Sequence, residues 1–188
     1  MNTDTAIILD NTKIARDVYR MILSTKLAPF VKCGQFVEVE VPGYFLRRPI
    51  SVCEVDGDTI TLVYKVVGQG TNVMHNMQQG EKISLFGPCG TGFPVEEEDV
   101  VLIGGGVGVP PLVETAKQYR QIHKNVIVVL GFNTKEDMIL VDAFQQLGCK
   151  VCIATMDGSF GTKGTVMDAI ADNALSCDFV LSCGPLPI

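Results

Sequence analysis

Apolar positions in the first half of the chain fall in short runs, over residues 6–9, 18–23, 35–41, 51–55, 59–67 and 82–86. The runs are rich in Val, Ile, Thr and aromatic residues, side chains that suit a half-buried pleated surface. Turn signals separate them, among them Pro29, Cys33-Gly34 and Pro42-Gly43. Residues 54–59 read Glu-Val-Asp-Gly-Asp-Thr, a hairpin with Asp-Gly at its tip. Strands at this spacing predict a small antiparallel barrel or sandwich, with one short helix over 71–77.

The period changes in the second half. Residues 100–103, 126–131, 150–155 and 179–182 are apolar without polar alternation, as strands covered on both faces are. Helix candidates lie between them at 110–122, 140–147 and 165–172. Pro110 and Pro111 suit a first helical turn, and Gly148 stands where a helix stop is wanted. Strands alternating with helices predict a parallel, doubly wound sheet. The acidic stretch Glu96-Glu97-Glu98-Asp99 is the expected boundary, giving domains 1–96 and 97–188.

Composition narrows the function classes. The 188 residues are 47% hydrophobic and 19% charged, with a net charge of −6. That is a globular composition with a poor balance for a nucleic-acid backbone. No apolar run reaches the ~18 residues of a membrane span, and the N-terminus shows no signal pattern. A cytoplasmic protein without nucleic-acid or membrane partners is expected. The seven cysteines, at 33, 53, 89, 149, 152, 177 and 183, are scattered, which fits buried thiols in a reducing compartment. Cys149 and Cys152 stand at C-x-x-C spacing, but on a strand over 149–155 they would face opposite ways. His75 and His123 have no partner at metal or triad spacing, which disfavours hydrolytic and metal chemistry.

The remaining candidates suit phosphates and planar rings. Arg47-Arg48-Pro49-Ile50-Ser51 pairs two cations with a stiff turn and a hydroxyl. Gly68-Gln69-Gly70-Thr71 leads from a strand into the short helix, with Thr as its cap. Residues 87–93, Gly-Pro-Cys-Gly-Thr-Gly-Phe, imply a tight exposed turn. Gly104-Gly105-Gly106-Val107-Gly108 joins the first parallel strand to a helix, where backbone N–H groups can approach a pyrophosphate. Its spacing is not G-x-G-x-x-G, and the usual acidic residue about 20 positions on is missing. Cys183-Gly184-Pro185 and Asp157-Gly158-Ser159 also end parallel strands, the edge of a sheet where ligands gather. Phosphate cradles without an acid–base constellation point to a cofactor that carries the reaction.

Together these motifs resemble the ferredoxin–NADP reductase superfamily. The form Arg48-Pro49-Ile50-Ser51, Val63-Tyr64-Lys65, Gly70-Thr71 and Asp157-Gly158-Ser159, with Gly161 and Gly164, is most similar to the electron-transfer subunits of dihydroorotate dehydrogenase B. The resemblance implies a six-stranded antiparallel FAD-binding barrel followed by a parallel-sheet NAD-binding domain. Arg48, Pro49, Ile50 and Ser51 would lie beside flavin or phosphate, and Val63, Tyr64 and Lys65 would line the flavin. Gly70 and Thr71 would bind its pyrophosphate. NADH would lie across Gly104, Gly105, Gly106 and Gly108 and pass hydride to the flavin near Ser51 and Cys183, the catalytic pair. Asp157 would accept from ribose hydroxyls and favour NAD over NADP. The flavin would relay electrons to a two-iron two-sulfur cluster and on to an FMN-containing catalytic dihydroorotate dehydrogenase subunit. That hetero-oligomer serves pyrimidine biosynthesis, oxidising dihydroorotate and reducing NAD.

Family members continue past the C-G-P motif with a helix, a last strand and a cysteine-rich cluster segment, whereas this sequence ends at Pro187-Ile188. No cysteine set here has the cluster spacing. The expectation is a truncated chain, without metal ligands, whose sheet lacks its last strand. The alternatives are a ferredoxin- or sulfide-linked NAD(P)H reductase subunit, a non-catalytic flavin-binding module, and a purely structural protein.

Overall fold

The computed structural model describes residues 2–176 and 179–185. Cys177 and the 187–188 end lie outside the described residues. The chain forms two compact units, Met1–Phe93 and Pro94–Ile188. The division falls slightly before the boundary expected at 96/97. Its physical reason is Tyr119, fully buried, whose hydroxyl donates to the Pro94 carbonyl and accepts from the Glu96 N–H. Those bonds tie the start of the acidic stretch to the second unit.

The first unit is a closed antiparallel barrel of six strands: β1 (Asn2–Ala15), β2 (Val18–Ser24), β3 (Phe36–Val39), β4 (Arg48–Asp56), β5 (Thr59–Lys65) and β6 (Lys82–Cys89). Their order around the barrel is β1-β2-β5-β4-β3-β6. β1 is far longer than the 6–9 run that announced it. Asn2–Ile7 pairs with β6, and residues 7–15 pair with β2. Ladder bonds use the backbone, so the polar residues at 2–5 and 10–13 are tolerated wherever one face meets water. The fold closes on an interior that includes Ile8, Met21, Leu23, Val37, Val52, Leu62 and Leu85, each essentially inaccessible. Burying each such side chain contributes about 1.5–3 kcal/mol. The hairpin appears as expected, with Asp56 opposite Thr59 and Gly57 in the left-handed region at φ +57°. Helix α1 (Gln69–Met74) starts earlier than predicted and plugs the barrel with Met74.

Two expectations are corrected. Arg48-Pro49-Ile50-Ser51 is not a turn before a strand but the opening of β4, paired in register with Val39, Glu38, Val37 and Phe36. Residues 87–93 are not one exposed turn. β6 runs through to buried Cys89, and a Cβ on Gly92 would meet the Cys33 carbonyl oxygen at 2.6 Å, so this stretch packs closely on the 32–35 loop.

The second unit is a parallel sheet of β7 (Val100–Gly105), β8 (Val126–Phe132), β9 (Lys150–Thr155), β10 (Thr162–Lys163) and β11 (Phe179–Cys183), in the order β10-β9-β8-β7-β11. Helices α2 (Pro111–Gln121), α3 (Val141–Gln146) and α4 (Val166–Asp172) fall within the predicted segments. The unbroken apolar runs of β7 and β8 are buried, as strands covered on both faces must be. β10 was not foreseen, because its two residues, Thr162 and Lys163, carry no apolar pattern. Cys152 lies in β9 and Cys149 just before it; both are buried. Among the described residues no helix is long and apolar enough to cross a membrane.

Candidate functional site

In the barrel unit, the fold brings two of the sequence motifs together. Arg48 opens β4, and its guanidinium rests against Gly70 in α1, where a Cβ would collide with it. The same guanidinium donates to the Leu46 carbonyl and lies 4.9 Å from the centre of the Tyr44 ring. Tyr44 in turn donates to Gln69 Oε1 at 3.3 Å. The 44–48 segment and the start of α1 are thus tied by Tyr44–Gln69 and by Arg48–Gly70. Sequence reading missed Tyr44 and Gln69; an aromatic four positions before Arg48 carries no signal by itself.

Thr71 is not the N-cap that was expected. Gly68 is the cap, and Thr71 reaches back from the third helical position. Its Oγ1 accepts from the N–H groups of Val67 and Gly68 at 3.0 and 3.2 Å and donates to the Gly68 carbonyl. The first backbone bond of the helix runs from Asn72 N–H to the Gly68 carbonyl. The amides of Gln69, Gly70 and Thr71 therefore have no partner within the helix. Thr71 can offer a ligand its amide, since its hydroxyl proton is already donated.

The two arginines separate clearly. Arg47 donates to Glu40 Oε2 at 2.6 Å, to Ser84 Oγ at 3.1 Å, and to the carbonyls of Glu38 and Ser84. Its fork is engaged by the barrel, whereas that of Arg48 faces the α1 cradle.

Further along β4, Ile50 packs into the barrel while Pro49 is exposed and Ser51 half-buried. Alternation puts Pro49 and Ser51 on the outer face. Val52 pairs with Leu62, so Ser51 and Val63 follow that pair on neighbouring strands. Val63, Tyr64 and Lys65 cannot all present side chains to one ligand. Tyr64 lies in the core and donates to Asn11 Oδ1 at 3.0 Å; burial pushes its hydroxyl above the usual tyrosine range, against the lowering effect of that bond. Val63 is buried on the opposite face, where Lys65 is exposed.

In the second unit the glycines divide by task. A Cβ on Gly104 would stand 2.9 Å from a Leu112 methyl, so this residue lets α2 close on β7. A Cβ on Gly108 would strike the Cys183 carbonyl and approach Gly184 Cα to 2.5 Å. Gly106 has open space around it and a φ of +51°. Gly105 ends β7. Gly104 also pairs with Cys183, so the β7 loop and the end of β11 form one packed ridge at the carboxyl edge of the sheet. Cys183 is half-buried there, and burial pushes its thiol up, which keeps it protonated at neutral pH.

Asp157 follows β9 at the same edge. Its Oδ1 accepts from Ser159 N–H at 3.0 Å and from Ser159 Oγ at 2.7 Å, and these bonds hold its carboxyl below the usual carboxylate range. Ser159 Oγ also accepts from Lys135 N–H at 2.8 Å. The ends of β7 and β9 are two strand spacings apart, about 10 Å, within the span of a nucleotide. Among the described residues no group of three or more His, Cys, Asp or Glu side chains could hold a metal ion.

A closed antiparallel barrel followed by a parallel sheet with a glycine loop after its first strand is the architecture of the ferredoxin–NADP reductase class of oxidoreductases. The solved NADH-dependent reduced ferredoxin-NADP oxidoreductase superposes with a TM-score of 0.87 at 30% identity, over 96% of this chain and 67% of that one. An Amycolatopsis cytochrome P450 reductase shares the fold, with a TM-score of 0.82 at 24% identity over 96% of this chain and 60% of its own. No protein-family model matches the sequence. Curated relatives are more specific. The dihydroorotate dehydrogenase B (NAD(+)) electron transfer subunit of Fusobacterium nucleatum is 38% identical over 202 residues, covering all of this chain and 78% of the relative. That of Bacillus cereus strain G9842 is 39% identical over 196 residues, covering 99% and 75%. The chain belongs to the family of dihydroorotate dehydrogenase B electron transfer subunits.

Proposed function

We propose that this subunit passes electrons between NAD and a dihydroorotate dehydrogenase partner through FAD held on the barrel unit. The observation that carries the reading is the cradle in which Arg48 lies against Gly70 beside the uncommitted amides of Gln69, Gly70 and Thr71. One fixed cation and several converging amides fit a pyrophosphate. Gly68, with nothing within 4 Å of where its Cβ would sit, leaves room for one. Arg48, Gly70 and Thr71 would hold the phosphates. The ring would lie along the outer face of β4 and β5, beside Pro49 and Ser51 and the backbone of Ile50, Val63 and Tyr64, with Lys65 offering the one exposed side chain of that strand segment. When bound, FAD supplies the exchange of a hydride for single electrons.

NAD would lie over Gly104, Gly105, Gly106 and Gly108, with Asp157 accepting from ribose hydroxyls. Ser51 would orient the flavin rim by its hydroxyl, and Cys183 would flank the nicotinamide as a neutral thiol. The described residues do not fit a two-iron cluster. The partner in this reading is an FMN-containing catalytic subunit in a hetero-oligomer. The cytoplasm, where thiols stay reduced, is the compartment; the buried cysteines support that placement. The 30% identity to a ferredoxin-linked oxidoreductase favours a ferredoxin-linked subunit as the second reading.

The test is an absorbance spectrum of the purified chain followed by titration with NADH. Flavin bands that bleach with NADH are expected; a colourless chain that takes up no added FAD would sink the proposal. Reoxidation by a dihydroorotate dehydrogenase subunit, rather than by a ferredoxin, separates the two readings. Two further results follow. Asp157→Ala should reduce the preference for NADH over NADPH about tenfold, the size of one lost ribose bond and one lost repulsion. Stopped-flow reduction by each nucleotide checks this, and an unchanged ratio refutes the assignment. Tyr64→Phe should cost the barrel about 1–2 kcal/mol by leaving Asn11 Oδ1 without its donor, while FAD stoichiometry stays at the wild-type level. Urea melts and flavin counts measure both; loss of FAD at full stability would place the Tyr64 hydroxyl in the cofactor site instead.

A further inference from the structure

Half-buried Asn11 hydrogen-bonds three distant residues through its side chain. Its Nδ2 donates to the carbonyls of Met74 and Met77, each at 2.9 Å, and its Oδ1 accepts from the Tyr64 hydroxyl. A bulge in β1 turns it inward. Ala6 and Ile8 face the core before the bulge, and the register against β2 slips between Ile8 and Asp10. Beyond the slip Asn11 stands opposite buried Met21, so an odd-numbered side chain takes the inward direction. Without the extra residue, alternation would send Asn11 to the solvent face.

Two of those bonds hold α1. Six residues are too few for a helix to stand by itself, so its neighbours must fix it in place. At its start Tyr44 bonds Gln69, and Gly70 seats Arg48. At its end Asn76 satisfies the carbonyls of Asn72 and Val73 from within the same segment. The Met74 and Met77 carbonyls receive Asn11, which comes from the barrel wall. Beside it Tyr19 stacks on Tyr64, with ring centres 6.1 Å apart, and the His75 ring lies 5.1 Å from Tyr19. A short helix moves as one body. A shift at Met74 is therefore a shift at Gly70, where the Arg48 guanidinium leaves no room even for a Cβ.

We propose that Asn11 is a positioning residue for the cofactor: by anchoring the end of α1 it sets where Gly70 meets Arg48, and hence the phosphate seat. The inference rests on the flavin reading above and adds a residue that touches no ligand. Met74 is four residues from Gly70, about 6 Å along the helix axis, so Asn11 acts through α1. A helix free to leave its seat binds less tightly, in proportion to the fraction of time it is seated. Losing both bonds to the helix carbonyls should weaken FAD about tenfold. The ring position on β4 and β5 is left as it is.

The experiment is fluorescence titration of the flavin-stripped full chain with FAD, for wild type, Asn11→Ala, Asn11→Asp and Ile60→Val. At neutral pH Asn11→Asp keeps the shape and the acceptor for Tyr64 but cannot donate to the two carbonyls. Ile60→Val thins the barrel core near the 56–59 hairpin and touches none of these bonds, so it shows what lost stability alone does. Both Asn11 variants should weaken FAD about tenfold, and Ile60→Val should bind it as wild type does. At saturating FAD the flavin absorbance of the Asn11 variants should match wild type, with NADH bleaching rates within about twofold. FAD affinity within twofold of wild type in Asn11→Asp overturns the inference. So does an equal weakening by Ile60→Val, or an altered flavin spectrum in Asn11→Asp at saturation. Failure of the wild-type chain to bind FAD at all would instead remove the flavin reading on which it stands.

Discussion

Arg48→Ala is expected to release FAD from the barrel, and Arg47→Ala to retain it. Adjacent residues of the same type rarely invite such different outcomes, but their surroundings differ. The Arg48 fork lies on the α1 cradle, over a glycine that has no Cβ to displace it. Removing it takes away a fixed charge opposite the proposed pyrophosphate. Charge-assisted bonds of that kind are each worth about 1.5–3 kcal/mol, so a roughly 100-fold weakening of FAD is expected. Arg47 is held by Glu40, Ser84 and two carbonyls, so both terminal nitrogens of its fork are engaged by the barrel. Its loss should appear as about 1 kcal/mol of barrel stability, because the pair with Glu40 is partly exposed. Arg48→Lys should fall between, since it keeps the charge but not the fork. Gly70→Ala should imitate Arg48→Ala by pushing the guanidinium aside. Flavin retained per chain after gel filtration reads all four, and equal retention by Arg47→Ala and Arg48→Ala would show that the cradle is not the phosphate site.

That separation shows what sequence can and cannot convey. The motif around Arg48 and the helix start at Gly70 were each legible, because phosphate recognition needs particular residue types. Their meeting was not: the β4–β5 hairpin was legible, but the approach of Arg48 to Gly70 also depends on where α1 begins after β5, and α1 starts earlier than the sequence predicts. Strand periodicity located every barrel strand but misjudged ends: polar residues hid most of β1, and Pro49 concealed the start of β4, because ladder pairing is indifferent to the side-chain signal being read. The parallel sheet was easier, since strands buried on both faces write their full length in apolar residues. Strand alternation sends the Tyr64 side chain inward to Asn11, a detail the 63–65 motif does not convey, and leaves only its backbone for the proposed flavin-lining role. At the Gly104–Gly108 loop, glycines were read as room for a ligand. Two of them are required first by the protein's own packing.

Gly108→Ala tests that last distinction and should strongly slow reduction by NADH while leaving FAD in place. The new methyl would press on the Cys183 carbonyl and on Gly184 Cα, both backbone, so no rotamer change can relieve it. Either the Gly106–Gly108 turn or the end of β11 must move, and both belong to the edge where the nicotinamide is proposed to lie. Overpacking of this kind costs about 1–3 kcal/mol, to be seen in unfolding of the second unit. Gly106→Ala is the matched control. It meets no neighbour, and its cost is the left-handed backbone alone, about 1 kcal/mol. If Gly108 serves to seat the β7 loop against β11, Gly108→Ala should slow flavin bleaching by NADH more than tenfold, and Gly106→Ala should slow it several-fold less. Equal, mild effects would mean that the ridge yields freely and that its close packing does not set nucleotide binding. Because the barrel unit carries neither glycine, its flavin content serves as an internal reference in both variants.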